Sequence, residues 1–288
     1  MSGPGAGAGR TVLITGCSSG IGRATALRLD SAGWRVFAGV RKQEDAEAIA
    51  AAGSAALSPL IVDVAEPASV QSARAELESR SGGRLDALVN NAGVAYPGPL
   101  EFVPLDDFRR QLEVNLVGHL AMTQAMLPFL RAAGGRIVNV TSIGGVVATP
   151  FFGPYNASKF ALEALSDCLR VELRPWGIKT IAIEPGSVAT GIWSSGAELA
   201  AEMRERMAPE ASELYGEAME ATATASAETG ERGIPPEGCA ETIERALTAR
   251  RPRARYLVGR DAYGMAASSK LLPARLYDRL VARLLKLP

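Results

Sequence analysis

The chain has 288 residues, enough for one large α/β domain or two small ones around a sizeable core. Its 31 basic residues balance 31 acidic ones, which argues against a generic nucleic-acid binder, and 47% hydrophobic with 22% charged residues excludes wholesale disorder. Three scattered cysteines (Cys17, Cys168, Cys239) make no disulfide framework or zinc ribbon, and a single histidine, His119, excludes sites that need two.

In chain order, the Gly/Ala-rich residues 1–9 read as a disordered lead without the apolar stretch of a signal peptide. Thr11–Thr15 reads as a strand, Ile21–Ser31 as a helix, Arg35–Val40 as a strand, Glu44–Ala52 as a helix and Ala56–Val62 as a strand. Ala68–Arg80 follows as a helix and Ala87–Asn90 as a short strand. Asp106–Ala133 reads as one long helix expected to kink at Pro128. Arg136–Thr141 is a strand, Pro154–Arg174 a helix and Lys179–Ile183 a strand. The strands are β-branched and almost continuously apolar, as strands buried on both faces are. Their alternation with helices predicts βαβ units, hence an α/β, Rossmann-type doubly wound parallel sheet in a single domain over residues 10–288. The basic end of the chain closes with an amphipathic helix over 270–286, started by Pro273. Leu276, Tyr277, Leu280, Val281, Leu284 and Leu285 form its apolar side, and Arg275, Arg279 and Arg283 its charged side. It reads as packed on the protein or a subunit, with contact to a membrane surface as the second reading. The cysteine usage makes a reducing, cytoplasmic setting the expectation.

Three groups of residues carry chemistry. The stretch Thr15-Gly16-Cys17-Ser18-Ser19-Gly20-Ile21-Gly22 joins the first strand to a helix. Glycines permit the sharp turn and a close backbone approach, and the helix N-terminus offers amides and a positive dipole end to a pyrophosphate. Tyr155 and Lys159, four apart at the start of a helix, share a face, and an ammonium beside a phenol is expected to lower its pKa into a useful range. Ser142 follows the strand Arg136–Thr141, at the end of a sheet where ligands bind, and its hydroxyl can stabilise charge on a substrate oxygen. After the second strand, Val40 stands where an NAD enzyme would place an acidic residue, followed by Arg41 and Lys42. A guanidinium there can grip a 2′-phosphate, so NADP(H) is the expected cofactor, with NAD still open.

The spacing of residues 15–22, together with Asn90-Asn91-Ala92-Gly93, Asn115, Ser142, Tyr155-Asn156-Ala157-Ser158-Lys159 and Pro185-Gly186, resembles the short-chain dehydrogenase/reductase family over roughly residues 10–190. Phe160–Arg174 and Ile178–Gly186 resemble its branch of 17β-hydroxysteroid and retinol dehydrogenases. The resemblance implies a catalytic set of Asn115, Ser142, Tyr155 and Lys159, with Asn115 holding a water that links Lys159 to solvent. It implies cofactor contacts at Gly16, Ser18, Ser19, Gly20, Ile21, Gly22, Arg41, Asp63, Val64, Asn90, Gly93, Tyr155, Lys159, Pro185, Gly186, Val188 and Thr190, with Asp63 on the adenine amino group. Residues 191–235 would form a helical lid, and Phe151, Phe152 and Trp193 an apolar wall. His119 is expected to be a packed helix residue, and no metal is expected. The implied activity is NADP(H)-dependent interconversion of an alcohol with a ketone or aldehyde, on a bulky, steroid- or retinoid-like small molecule. A homodimer or homotetramer joined through Asp106–Ala133 and Pro154–Arg174 is expected. A non-catalytic dinucleotide-binding regulator is the competing reading, and the presence of the serine, tyrosine and lysine together speaks against it.

Overall fold

The computed structural model describes residues 9–190, 192–285 and 287, with the backbone alone at 192–198 and 284. The expected lead over residues 1–9 falls, but for Gly9, outside the described residues, as does the side chain of Trp193. Seven parallel strands run in the order β3-β2-β1-β4-β5-β6-β7. They are β1 (Thr11–Ile14), β2 (Arg35–Val40), β3 (Leu57–Ile61), β4 (Ala87–Asn90), β5 (Arg136–Val140), β6 (Lys179–Pro185) and β7 (Arg255–Val258). The helices between them are α1 (Gly20–Ser31), α2 (Gln43–Ala52), α3 (Pro67–Ser81), α4 (Leu105–Leu112), α5 (Gly118–Ala133) and α6 (Gly153–Glu172). After β6 come α7 (Ile192–Arg206), α8 (Pro209–Glu231), α9 (Pro236–Thr248), α10 (Arg260–Leu271) and α11 (Ala274–Leu284).

Continuous apolar strands supply both faces of the sheet. In β1, Val12 and Ile14 enter one core with Leu29 of α1, Ile49 of α2 and Ile243 of α9. Leu13, pointing the other way, enters a second core with Leu77 of α3 and Met122, Met126 and Phe129 of α5. The chain winds outward from β1 in both directions, so the connections leaving β1 and β4 depart on opposite sides. A crevice opens at that reversal, beyond the carboxyl ends of the strands, where doubly wound sheets bind ligands.

Three differences from the sequence reading have physical causes. The helix expected over 106–133 is interrupted by a π turn at Glu113–Val117 between α4 and α5, while Pro128 lies within α5. Wide turns of this kind accompany functional sites, and hydrophobic periodicity carries no signal for them. The strand β7 lies beyond the sequence-predicted strands: it is only four residues long, and only Val258 in it is buried. The last helical turn before β6 becomes a short 3-10 segment at Arg174–Trp176, ended by Gly177 at φ 72°. The expected lid region contains α7 and α8, and α11 begins directly after Pro273. Tyr277 of α11 packs against Ile143, Val147, Ala262 and Ala266, whereas Leu276 and Leu280 stay partly exposed. Among the described residues no helix is long and apolar enough to cross a membrane.

Candidate active site

The glycine turn after β1 is held by close approach. Gly16 has φ +72°, and a Cβ there would lie 2.8 Å from Ala92 Cα; a Cβ on Gly22 would collide with the Gly16 carbonyl. Thr15 Oγ1 accepts from the backbone N–H groups of Asn91 (2.9 Å) and Ala92 (3.1 Å). Asn91 Nδ2 in turn donates to the carbonyls of Thr15 (2.9 Å) and Gly16 (3.1 Å), so the turns after β1 and β4 are stapled together. Ser19 caps α1 with no side-chain hydrogen bond, which leaves the first-turn amides available to an anion. Thr190 approaches the same turn: its Cγ2 lies 3.0 Å from where a Gly20 Cβ would sit. Ser18 and Ser19 are exposed, and Cys17 is buried, its thiol donating to the Ile14 carbonyl. Uncapped amides and a floor with no room for side chains fit a pyrophosphate.

At the outer end, Val40 is buried and Arg41 and Lys42 are exposed, with no ion-pair partner among the described residues. Asp63 Oδ1 accepts from Ala65 N–H at 3.0 Å, and its Oδ2 lies 3.6 Å from Arg110 Nη2, which leaves acceptor capacity for an amino group. Val64 is buried against Gly118, whose missing side chain lets it approach. Asn90 turns its side chain into the interior instead. Its Nδ2 donates to Thr123 Oγ1 (3.0 Å) and Asn139 Oδ1 (2.9 Å), so only its backbone remains for a cofactor. Gly93 sits beside Asn115 Oδ1.

At the inner end, β5 delivers Ser142, whose Oγ accepts from Gly144 N–H at 3.0 Å, capping the turn Ile143–Gly145. Its own proton is thereby left to donate. Pro154 begins α6 and puts Tyr155 and Lys159 on one face. Lys159 Nζ donates to the Val140 carbonyl at 2.9 Å and stands 5.7 Å from the centre of the Tyr155 ring. Burial pushes the lysine down to about 8, with the Glu163 carboxylate pulling it back up. The tyrosine departs from the sequence expectation. Burial raises its pKa, and a hydrogen bond with Ser142 works against that rise. Desolvation of the phenol is the larger of the two effects. His119, driven to about 3 by burial and by Lys159, is neutral, and its Nε2–H donates to the Ala92 carbonyl at 2.7 Å, in line with a packed residue.

Asn115 stands in the π turn. Its Oδ1 accepts from Val94 N–H (2.9 Å), and its Nδ2 donates to Val94 O (3.0 Å) and Ser158 Oγ (3.2 Å). It therefore braces the loop after β4 against the second turn of α6. Pro185 and Gly186 end β6 beside the exit of β5, and Gly186 N–H donates to the Val258 carbonyl at 2.8 Å. Val188 pairs with Ile234 in an isolated bridge. Phe151 carries φ +65°, rare for an aromatic residue, and meets Tyr215 of α8 edge-on at 6.3 Å. Sequence reading missed Gln111, one turn before Asn115, whose Nε2 donates to Val94 O and whose Oε1 accepts from Tyr96 N–H. It also missed Asp261, whose Oδ2 accepts from Ser187 N–H at 2.6 Å and whose carboxylate fills the space beside Gly186. No local pattern marks either residue.

A family profile described as short chain dehydrogenase matches residues 10–199. An NADPH-dependent 3-dehydrocapnine reductase from Ornithobacterium rhinotracheale is 34% identical over 283 residues, covering 96% of this chain and 98% of that protein. Retinol dehydrogenase 5 from Mus musculus is 38% identical over 285 residues, covering 96% of this chain and 89% of its own. A crystal structure of a short-chain dehydrogenase from Streptomyces avermitilis superimposes with a TM-score of 0.76 at 28% identity, covering 99% of this chain and 97% of that one. This chain is an oxidoreductase that belongs to the short-chain dehydrogenase family.

Proposed function

We propose that the protein is an NADP(H)-dependent oxidoreductase that interconverts an alcohol with a ketone or aldehyde, with Tyr155 as general acid and base. The observation that carries the reading is the convergence of Ser142, Tyr155 and Lys159 at the carboxyl end of β5, with the serine fixed by Gly144 and the lysine by Val140. The glycine turn and the α1 N-terminus would hold the pyrophosphate, Asp63 the adenine, and Pro185 to Thr190 with Lys159 the nicotinamide side. When bound, the nicotinamide supplies or accepts the hydride.

The chain's own groups handle the proton. In reduction, Tyr155 donates its phenolic proton to the carbonyl oxygen as negative charge develops there. Ser142 Oγ, its lone pair engaged by Gly144, aims its O–H at the same oxygen. Lys159 supplies positive charge beneath the phenol and, with one N–H on Val140, keeps donors free for a ribose hydroxyl. In oxidation the phenolate accepts the alcohol proton. Asn115 and Gln111 hold the loop after β4 in place, which supports a rigid rather than an adaptable site.

NADP(H) preference is supported by the exposed Arg41 beside the non-polar Val40, and by the similarity to an NADPH-dependent 3-dehydrocapnine reductase. A bulky apolar substrate is supported by the aromatic group Phe102, Phe151 and Tyr215 between the loops and α8, and by the similarity to a retinol dehydrogenase. A two-fold assembly through α4–α5 and α6 is supported by Leu105, Val117 and Phe160, which are exposed in the single chain. The test is a panel of ketones and aldehydes with NADPH, and of the matching alcohols with NADP⁺. Turnover of a bulky apolar pair is expected; absence of any turnover with purified, cofactor-binding protein overturns the reading.

A further inference from the structure

Behind the site, α6 carries a ladder at four-residue steps: Tyr155, Lys159, Glu163 and Asp167. The lower half of the ladder meets β6 and β7. Arg255 of β7 is paired with Ala182, two residues before Glu184 on β6, so Arg255 and Glu184 rise from the same face of the sheet. Arg255 Nε lies 2.9 Å from Glu163 Oε2 and 3.1 Å from Glu184 Oε1, and its Nη2 lies 2.8 Å from Asp167 Oδ2. Asp167 is half-buried and shared with Arg170. Glu163 and Glu184 are buried; Glu163 Oε1 has no hydrogen bond, and Glu184 Oε1 meets Arg255 as an ion pair without hydrogen-bond alignment.

A clasp joining β7 to α6 needs one acid for one guanidinium. Here two buried carboxylates share it, an arrangement that costs desolvation without adding stability. Burial and Glu163 raise Glu184 to about 7, with Arg255 and Lys270 of α10 opposing. The excess negative charge lies one helical turn from Lys159, a buried cation that donates to a backbone carbonyl, that of Val140. On the lysine's other side, His119 of α5 is neutral. Gly145 makes the approach tight: a Cβ there would lie 2.8 Å from the Lys159 carbonyl and 3.2 Å from Glu163 Cγ.

We propose that Glu163 is a positioning residue that acts through Lys159: anchored by Arg255, its carboxylate supplies the counter-charge that keeps the buried lysine an ammonium beneath Tyr155. This deepens the reading of the site given above, and rests on it only for the consequence in catalysis. The pH at which Lys159 gives up its proton is the direct readout, and it needs neither substrate nor cofactor.

The chain has five lysines, so a spectrum of protein labelled at the lysine ε-carbons is simple, and Lys159→Arg identifies the resonance. In wild type Lys159 is expected to titrate near 8. Glu163→Gln, checked for folding by its melting curve, should lower that value by about one pH unit, the scale set by a nearby charge. Glu163→Asp, which keeps the charge, should restore it. Arg255→Gln removes a competing cation and should move the lysine the other way, upward. A merely structural role, in which either variant loosens the helix and hydrates the lysine, would raise both. The proposal is overturned if folded Glu163→Gln titrates as wild type, or if both variants shift the lysine in one direction. Should Glu163→Gln not fold, Glu163→Ala takes its place, with the same expected lowering and the same overturning outcomes. Failure here with a Tyr155→Phe enzyme that is inactive would leave the assignment of Tyr155 standing; an active Tyr155→Phe enzyme would strike that assignment whatever the lysine does.

Discussion

The two ends of the cofactor crevice are built on opposite terms. At the inner end the polar side chains framing the proton donor are held by hydrogen bonds: Ser142 by Gly144, Lys159 by Val140, Asn115 by Val94 and Ser158. At the outer end Arg41 and Lys42 stand in solvent, unpaired among the described residues. The difference follows from what each end must do. A proton donor misplaced by about 1 Å can lose roughly 10²-fold in rate, and it works in a desolvated setting that strengthens charge effects, so its surroundings are fixed in advance. Selecting one cofactor over another requires only a difference in binding energy, which a long, mobile cation supplies on contact.

The largest effect expected is at the inner end. Tyr155→Phe removes the proton donor and should lower turnover by about 10²- to 10⁴-fold while cofactor affinity holds. Steady-state rates with a verified substrate, beside a cofactor titration by fluorescence, check both halves. Near-native turnover would mean the inner end is braced for some other purpose.

The outer end should respond in affinity alone. Hydrogen bonds to a charged group are worth about 1.5–3 kcal/mol, so Arg41→Ala should cut NADPH binding by roughly 10- to 150-fold, with NADH little changed. Val40→Asp should go further and invert the preference, by adding an acceptor for a ribose hydroxyl and repelling a phosphate. Equal affinity of the wild type for the two cofactors would sink the Arg41 assignment.

Between the ends lies the Asn91 staple. Asn91→Ala frees the carbonyls of Thr15 and Gly16 from their shared donor and should destabilise the fold by about 1–2 kcal/mol, with cofactor binding weakened along with it. Chemical denaturation reads the first effect. An unchanged midpoint would show that the turn after β1 holds itself.

The smallest effect concerns pH. Glu184 is raised from 4.5 to about 7, so the folded protein binds more protons there than the unfolded chain between those values. Its contribution to stability is complete below about 4.5 and is lost as pH rises through about 7. Relative to Glu184→Gln, the wild type should therefore be more stable at pH 5 than at pH 8, by about 1 kcal/mol once solvent screening is allowed for. Paired melting curves at the two pH values test the sign; a difference that grows with pH would contradict it.

What the sequence disclosed and what it withheld divide along the same physical line. The turn at residues 15–22 and the pair Tyr155 and Lys159 are contiguous in the chain, and continuous apolar strands located the ends where they act. The Asn115 brace was visible as a residue but not as a contact, because the π turn that aims it leaves hydrophobic periodicity undisturbed. Glu163, Glu184 and Arg255 are separated by up to 92 positions and meet only because β7 pairs with β6, a strand too short and too exposed to announce itself. The direction of the Tyr155 shift was misjudged for a related reason: proximity of charge can be read from spacing, whereas burial is set by everything that packs around it.

The thiol of Cys17 lies inside the glycine turn, wholly buried, with burial holding it far above the ordinary range. A thiolate is the reactive form, so while the turn is closed this sulfur is shut off from alkylating reagents and oxidants, unlike the exposed Cys168. Reaction at Cys17 must wait for the turn to lift away from β4. Its labelling rate is thus a clock for the local opening of the dinucleotide turn, and anything that binds the closed turn slows that clock in proportion to its occupancy.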